Sequence, residues 1–138
     1  KLRFVRVLGN TTGSHIEGAK ENPYGALEYL EVDAVAVKDA IRGADLVKMD
    51  VEGLEAALLT SLGRDDLRTV DVLCEVGTKS NAEAIWGHFE GTSTRLFTQK
   101  LGWKEAQTVA DLPTSYREGS LFLSSRAEMP WSRPGGEK

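Results

Sequence analysis

The chain has 138 residues, 41% of them hydrophobic and 28% charged, a balance that fits one globular domain and excludes a wholly disordered polymer. Its formal charge is −4, and no lysine or arginine stripe runs against that sign, so nucleic acid is not an expected partner. No apolar run reaches the roughly 18 residues of a membrane span and no signal-peptide pattern opens the sequence, so no membrane partner and a cytoplasmic location are expected.

Leu2, Phe4, Val5, Val7 and Leu8 predict a short strand. Gly9-Asn10-Thr11-Thr12-Gly13 ends it, a turn in which backbone can approach a ligand closely. Residues 15–25 hold two glycines, a proline and few apolar side chains, which reads as a loop or hairpin tip over a sheet. Loops on a rigid scaffold carry many substrate contacts, which makes His15 and Tyr24 candidates; a lone ring in a loop is otherwise solvated or half-packed. Leu27 to Val37 alternates as a strand, with Leu30, Val32, Ala34 and Ala36 on one side. A turn or two of helix over Lys38–Arg42 is stopped by Gly43.

The most informative stretch is residues 45–62. A largely apolar run over 46–51, interrupted by Lys48, ends in Asp50, Glu52 and Gly53. The period then changes, and Leu54, Leu58, Leu59 and Leu62 share one helical face. This predicts a buried central strand, a tight acidic turn and an amphipathic helix, half of a parallel βαβ unit. Ligands of open α/β sheets bind beyond the carboxyl ends of the strands, where Asp50 and Glu52 stand. A lysine in an apolar strand needs a partner if buried, so Lys48 is expected to pair with Asp50 or a neighbouring carboxylate. Glu55 reads as a carboxylate favoured by the positive end of the following helix.

A charged connector over 63–69 leads to a second strand, Val70–Val76, apolar enough at its centre to be buried on both faces. Glu75, near its carboxyl end, is expected in the same crevice as Asp50. Cys74, the single cysteine, reads as a small buried hydrophobe. Ser80 and Glu83 have capping-box spacing, and Ala82, Ile85, Trp86 and Phe89 follow on one face of a helix that Gly91 ends. Arg95–Gln99 and Ser120–Ser124 have strand character and fit an antiparallel edge pair, with a polar loop over 104–118 between them. The tail after Arg126 is expected to be loosely ordered. His15 and His88 have no ligand-like spacing, and no metal site is expected.

The stretch "DLVKMDVEGLEAALLTSL", with "DVLCEVG" downstream, resembles the signature of FkbM-type S-adenosylmethionine-dependent methyltransferases through Lys48, Asp50, Glu52, Gly53 and Glu55. The looser "VLGNTTGS" and "VAVKDAI" extend the likeness over most of residues 1–124. The resemblance implies a Rossmann-like methyltransferase sheet, mostly parallel with a late antiparallel pair. It also implies that the Gly-rich cofactor loop of such enzymes is missing before Lys1, so residues 1–126 read as the later part of one such domain and 127–138 as its tail. S-adenosylmethionine is the implied cofactor, with Gly9 and Asn10 near its adenine and Asp50 near its methionyl end. The implied reaction is methyl transfer to a hydroxyl of a small molecule or glycan, with Asp50, Glu52 and Lys48 at the reacting centre and Glu75, His15 and Tyr24 on the substrate side. Two other readings remain: a non-catalytic α/β scaffold or binding domain, and a receiver-like signalling module with Asp50 as phospho-acceptor. The latter lacks the usual Met-Pro turn after the aspartate and an acidic pair at the start to hold Mg²⁺.

Overall fold

The computed structural model describes residues 1–9, 13–19, 25–63 and 65–131. Strands β1 (Leu2–Val7), β2 (His15–Ile16) and β3 (Leu27–Val32) form an antiparallel sheet in the order β2-β1-β3. Val5 stands opposite both His15 and Tyr29, so β1 is the middle strand, and its Val5 and Val7 are buried. The first strand is where the alternation predicted it. The expected strand to Val37 stops at Val32 instead, because Val32 pairs with Leu2 at the very start of β1 and the ladder has no further partner. A short helix, α1 (Val37–Ala40), follows.

A second, five-stranded sheet is built from β4 (Leu46–Met49), β5 (Asp71–Glu75), β6 (Arg95–Thr98), β7 (Lys104–Glu105) and β8 (Ser120–Ser124), in the order β4-β5-β8-β6-β7. Helices α2 (Glu55–Thr60) and α3 (Lys79–Phe89) precede β5 and β6. The βαβ expectation holds locally, since β4 and β5 are parallel and α2 connects them. The mostly parallel Rossmann-like sheet does not. Every other neighbouring pair is antiparallel, because α3 carries the chain past one strand position and β8 returns to fill that slot between β5 and β6. The fold is a small α/β arrangement of one antiparallel and one mixed sheet.

Two placements are corrected by this order. β8 is no edge strand: Leu121, Phe122 and Leu123 are all fully buried in the middle of the sheet. Conversely, β4 is neither central nor buried on both faces; it is an edge, with Leu46 55% exposed. Side chains alternate along a strand, so Val47 and Met49 turn toward the helices while Leu46, Lys48 and Asp50 face the other way.

The main core lies between this sheet and the helices. Leu59 and Leu62 from the α2 segment meet Ala82, Ile85 and Phe89 from α3 over Val72, Cys74, Leu121 and Leu123. Trp86 packs against the same cluster as partly buried core. The N-cap of α3 lies two residues before the expected one: Thr78 Oγ1 accepts the Asn81 N–H at 3.1 Å, while Ser80 lies inside the helix and Glu83 pairs with Lys79 at 3.6 Å. Thr78 is the residue with extended backbone, which an N-cap requires.

On the opposite face Phe97, Phe122 and Met129 form a second cluster with Leu73 and Trp103. Trp131 stands edge-on to Phe122, ring centroids 4.8 Å apart, so the tail up to residue 131 is docked rather than loose. Apolar surface left open by β8 gives Met129 and Trp131 something to cover. Residues 104–118, expected as a loop, contain β7 and two 3₁₀ turns. Among the described residues no helix is long and apolar enough to cross a membrane.

Candidate functional site

β4 and β5 run side by side and end together, which brings the residues at their carboxyl ends into one place. A cleft of about 380 Å³ opens there, and Asp50, Glu52, Glu55 and Glu75 line it with Ala19, Gly53, Gly77 and Tyr116. Among the described residues, every charged one in that lining is a carboxylate.

Asp50 follows the last residue of β4 on the face away from the helices. Lys48, on the same face, donates from Nζ to Asp50 Oδ2 at 2.8 Å. The expected ion pair is present, but the burial that motivated it is not: the two side chains are 60% and 47% exposed. Exposed pairs contribute little stability, so this one biases, without fixing, the direction in which the Asp50 carboxylate points. The hydrogen bond and charge of Asp50, with a smaller contribution from Glu75, hold the Lys48 ammonium above its ordinary pKa.

The turn after Asp50 is conformationally demanding. Glu52 has φ 54° and Gly53 φ 106°. A β-carbon on Gly53 would lie 3.2 Å from the Ala19 carbonyl oxygen, so glycine is required there both by backbone angle and by close approach. Glu55 braces the turn. It is the first residue of α2, but its carboxylate turns back rather than into solvent, is 3% exposed, and accepts the N–H of Val51 at 3.2 Å and of Gly53 at 3.1 Å. Asn81 Nδ2, in the first turn of α3, donates to Gly53 O at 3.3 Å and ties the second helix to the same loop.

Glu75, the last residue of β5, is half-buried, and its carboxylate accepts no hydrogen bond from the described residues. Tyr116, 67% exposed, reaches the cleft from the 3₁₀ turn Tyr116–Glu118. That turn is anchored by Glu118, which accepts the Thr114 N–H at 2.7 Å and pairs with Lys100 at 3.4 Å. The Thr114 N–H is the main reason the Glu118 carboxyl lies below its usual range.

The structure therefore brings Asp50, Glu52 and Glu75 together, with Lys48 attached through Asp50. It does not bring in Gly9 or His15. Gly9 is exposed at the end of β1, and His15 is buried in the small sheet with Nδ1 2.8 Å from Gly13 O. The loop reading of residue 15 fails because β2 begins there and turns the ring inward opposite Val5. Asn10 and Tyr24 lie outside the described residues. Sequence reasoning missed Tyr116, whose polar surroundings carry no periodic signal, and the bracing role of Glu55, for which the Val-Glu-Gly turn was the available clue.

Cys74 is buried beside this region, and burial, with Glu55 and Glu75 adding, pushes its thiol up to about 12. Among the described residues no group of three or more His, Cys, Asp and Glu is arranged to hold a metal ion. A wider cleft of about 570 Å³ opens between the end of α3 and the start of β6, around Trp86 and the 2.7 Å Arg95–Glu105 pair, and contains none of the candidate residues. No family model, curated protein or solved structure matches the chain.

Proposed function

We propose that the acidic cleft is a methyl-transfer site of the FkbM type, taking S-adenosylmethionine as donor and a hydroxyl of a small molecule or glycan as acceptor. The observation that carries this reading is the charge of the lining: Asp50, Glu52, Glu55 and Glu75, with no lysine or arginine among the described residues that line it. The donor has a positively charged ammonium and a positively charged sulfonium, and such a lining fits it by charge. The cleft volume lies within the range of small-molecule sites.

Bound there, S-adenosylmethionine supplies an electrophilic methyl group with a neutral leaving sulfide. The work left to the protein is alignment of the acceptor oxygen and removal of its proton. Asp50, paired with Lys48, orients the positively charged end of the donor. Glu75, which accepts no hydrogen bond from the described residues, takes the hydroxyl proton, and Glu52 shapes the acceptor side. Alignment of this kind contributes several kcal/mol and general-base assistance typically about 10²–10⁴-fold. Tyr116 screens the cleft from solvent on its open side.

Calorimetric titration of the chain with S-adenosylhomocysteine tests the proposal. Saturable binding is expected, weakened about tenfold or more in Asp50→Asn, since a hydrogen bond to a charged group contributes roughly 1.5–3 kcal/mol. Absence of binding both by the folded wild-type chain at millimolar ligand and by a longer chain with a Gly-rich loop ahead of Lys1, or binding indifferent to Asp50→Asn, overturns it.

A further inference from the structure

We infer that Glu55 is a positioning residue: its buried carboxylate clamps the turn that aims Asp50 and Glu52 into the cleft. The inference deepens the proposed function and rests on it only where ligand is concerned.

A carboxylate at the first position of a helix has an ordinary explanation, attraction to the positive end of the helix dipole. The geometry here differs from that explanation in three respects. The side chain is 3% exposed, whereas a dipole-favoured carboxylate gains most by staying near solvent and pays no desolvation. Its donors are the N–H groups of Val51 and Gly53, which precede the helix. Between those two donors lies Glu52, held at φ 54°, a conformation an L-residue adopts only when its surroundings impose it. Oε1 accepts from both N–H groups at 3.2 Å and Oε2 accepts from Gly53 as well at 3.1 Å, so the carboxylate spans the turn and closes it. Asp50 is bonded directly to Val51, and the direction in which β4 delivers its carboxylate is set by the closed turn on one side and by Lys48 on the other.

A neutral amide can keep the Oε1 contact to Val51, while its NH₂ stands where Oε2 accepts the Gly53 N–H, so Val51 is the amide that discriminates. Glu55→Gln retains an acceptor at Oε1 and loses the charge; Glu55→Ala loses both. A dipole role predicts that the two variants behave alike, and a clamp predicts that they separate. The experiment is amide hydrogen exchange by NMR on the wild-type chain and both variants, with Val72 and Cys74 as core references. In Glu55→Ala, exchange at Val51 and Gly53 is expected to accelerate about tenfold or more, while in Glu55→Gln exchange at Val51, which bonds to Oε1 alone, stays within about threefold of wild type and the references are unchanged in both. Equal loss at Val51 in the two variants, or unchanged exchange there in Glu55→Ala, overturns the clamp. An Ala variant that unfolds outright returns the decision to Glu55→Gln, where accelerated exchange at Val51 overturns it and retained protection there supports it. Titration with S-adenosylhomocysteine on the same samples is expected to show the same order, with Glu55→Ala weakened about tenfold and Glu55→Gln close to wild type. Failure of both the wild-type chain and the longer chain to bind removes the proposed chemistry, whereas the exchange comparison still decides the clamp.

Discussion

Asp50 and Glu55 flank one turn and are put to opposite uses. The first is exposed and held by a flexible ammonium; the second is buried and held by two backbone amides. Removing the Asp50 carboxylate removes the main cause of the raised Lys48 pKa, so in Asp50→Asn the Lys48 ammonium is expected to titrate nearer its ordinary 10.5, read by NMR titration of the side chain. Cys74 gives a second expectation at this scale. Its thiol titrates at about 12 in the folded chain against an ordinary 9.0. The folded state therefore keeps a proton that the unfolded state loses, and linkage makes stability independent of this group below about 9 and falling as pH rises from there toward 12. Denaturant titrations at pH 8 and pH 10 should show the lower midpoint at pH 10, and a thiol reagent at pH 8 should label Cys74 only as the chain unfolds. Their places at the carboxyl ends of successive strands were enough to put Asp50 and Glu75 at one site from sequence. It was not enough to say that Lys48 is exposed, because the apolar run around it was read as burial, and burial depends on which strands lie alongside.

At the scale of the element, the β4–turn–α2 unit is where sequence and structure agree best. The switch from period two to the helical period occurs at Gly53, and both the left-handed turn and the helix follow from it. Gly53→Ala is expected to destabilise the chain by roughly 1–3 kcal/mol, because φ 106° is strained for a side chain and the Ala19 carbonyl oxygen, 3.2 Å from the added carbon, would have to give way. Leu59, fully buried between α2 and α3, should lose about 2–5 kcal/mol on change to alanine. Midpoints of chemical denaturation check both. The segment after β6 was illegible for a different reason: its order comes from hydrogen bonds to single carboxylates, which have no period. Asp111 accepts the Gln107 and Thr108 N–H groups at 2.9 Å, and these bonds hold its carboxyl below the usual range. That contribution is complete above the ordinary 3.8 and is lost as pH falls through the lower folded value. Asp111→Asn should accordingly flatten the acid limb of a pH–stability profile.

At the scale of the molecule the reading failed, and the failure has one source. Elements β4, α2, β5 and α3 follow one another as a parallel α/β fold requires, and β6 does run in the direction of β5, since both are antiparallel to β8. What periodicity does not encode is that α3 leaves a strand-wide gap. The apolar Leu121-Phe122-Leu123 run was the available sign, because three consecutive fully buried residues suit a strand covered on both faces better than an edge. The same run explains the docked end of the chain: Phe122 offers a ring on the face away from the helices, and Trp131 and Met129 close over it.

The position of β8 also bears on how the protein comes into being. Its partners β5 and β6 are made long before it, and neither pairs with the other. During synthesis the ribosome must therefore release Ser120–Ser124 before the larger sheet has a middle. Until then the parallel pair on one side and the β6–β7 hairpin on the other share no strand.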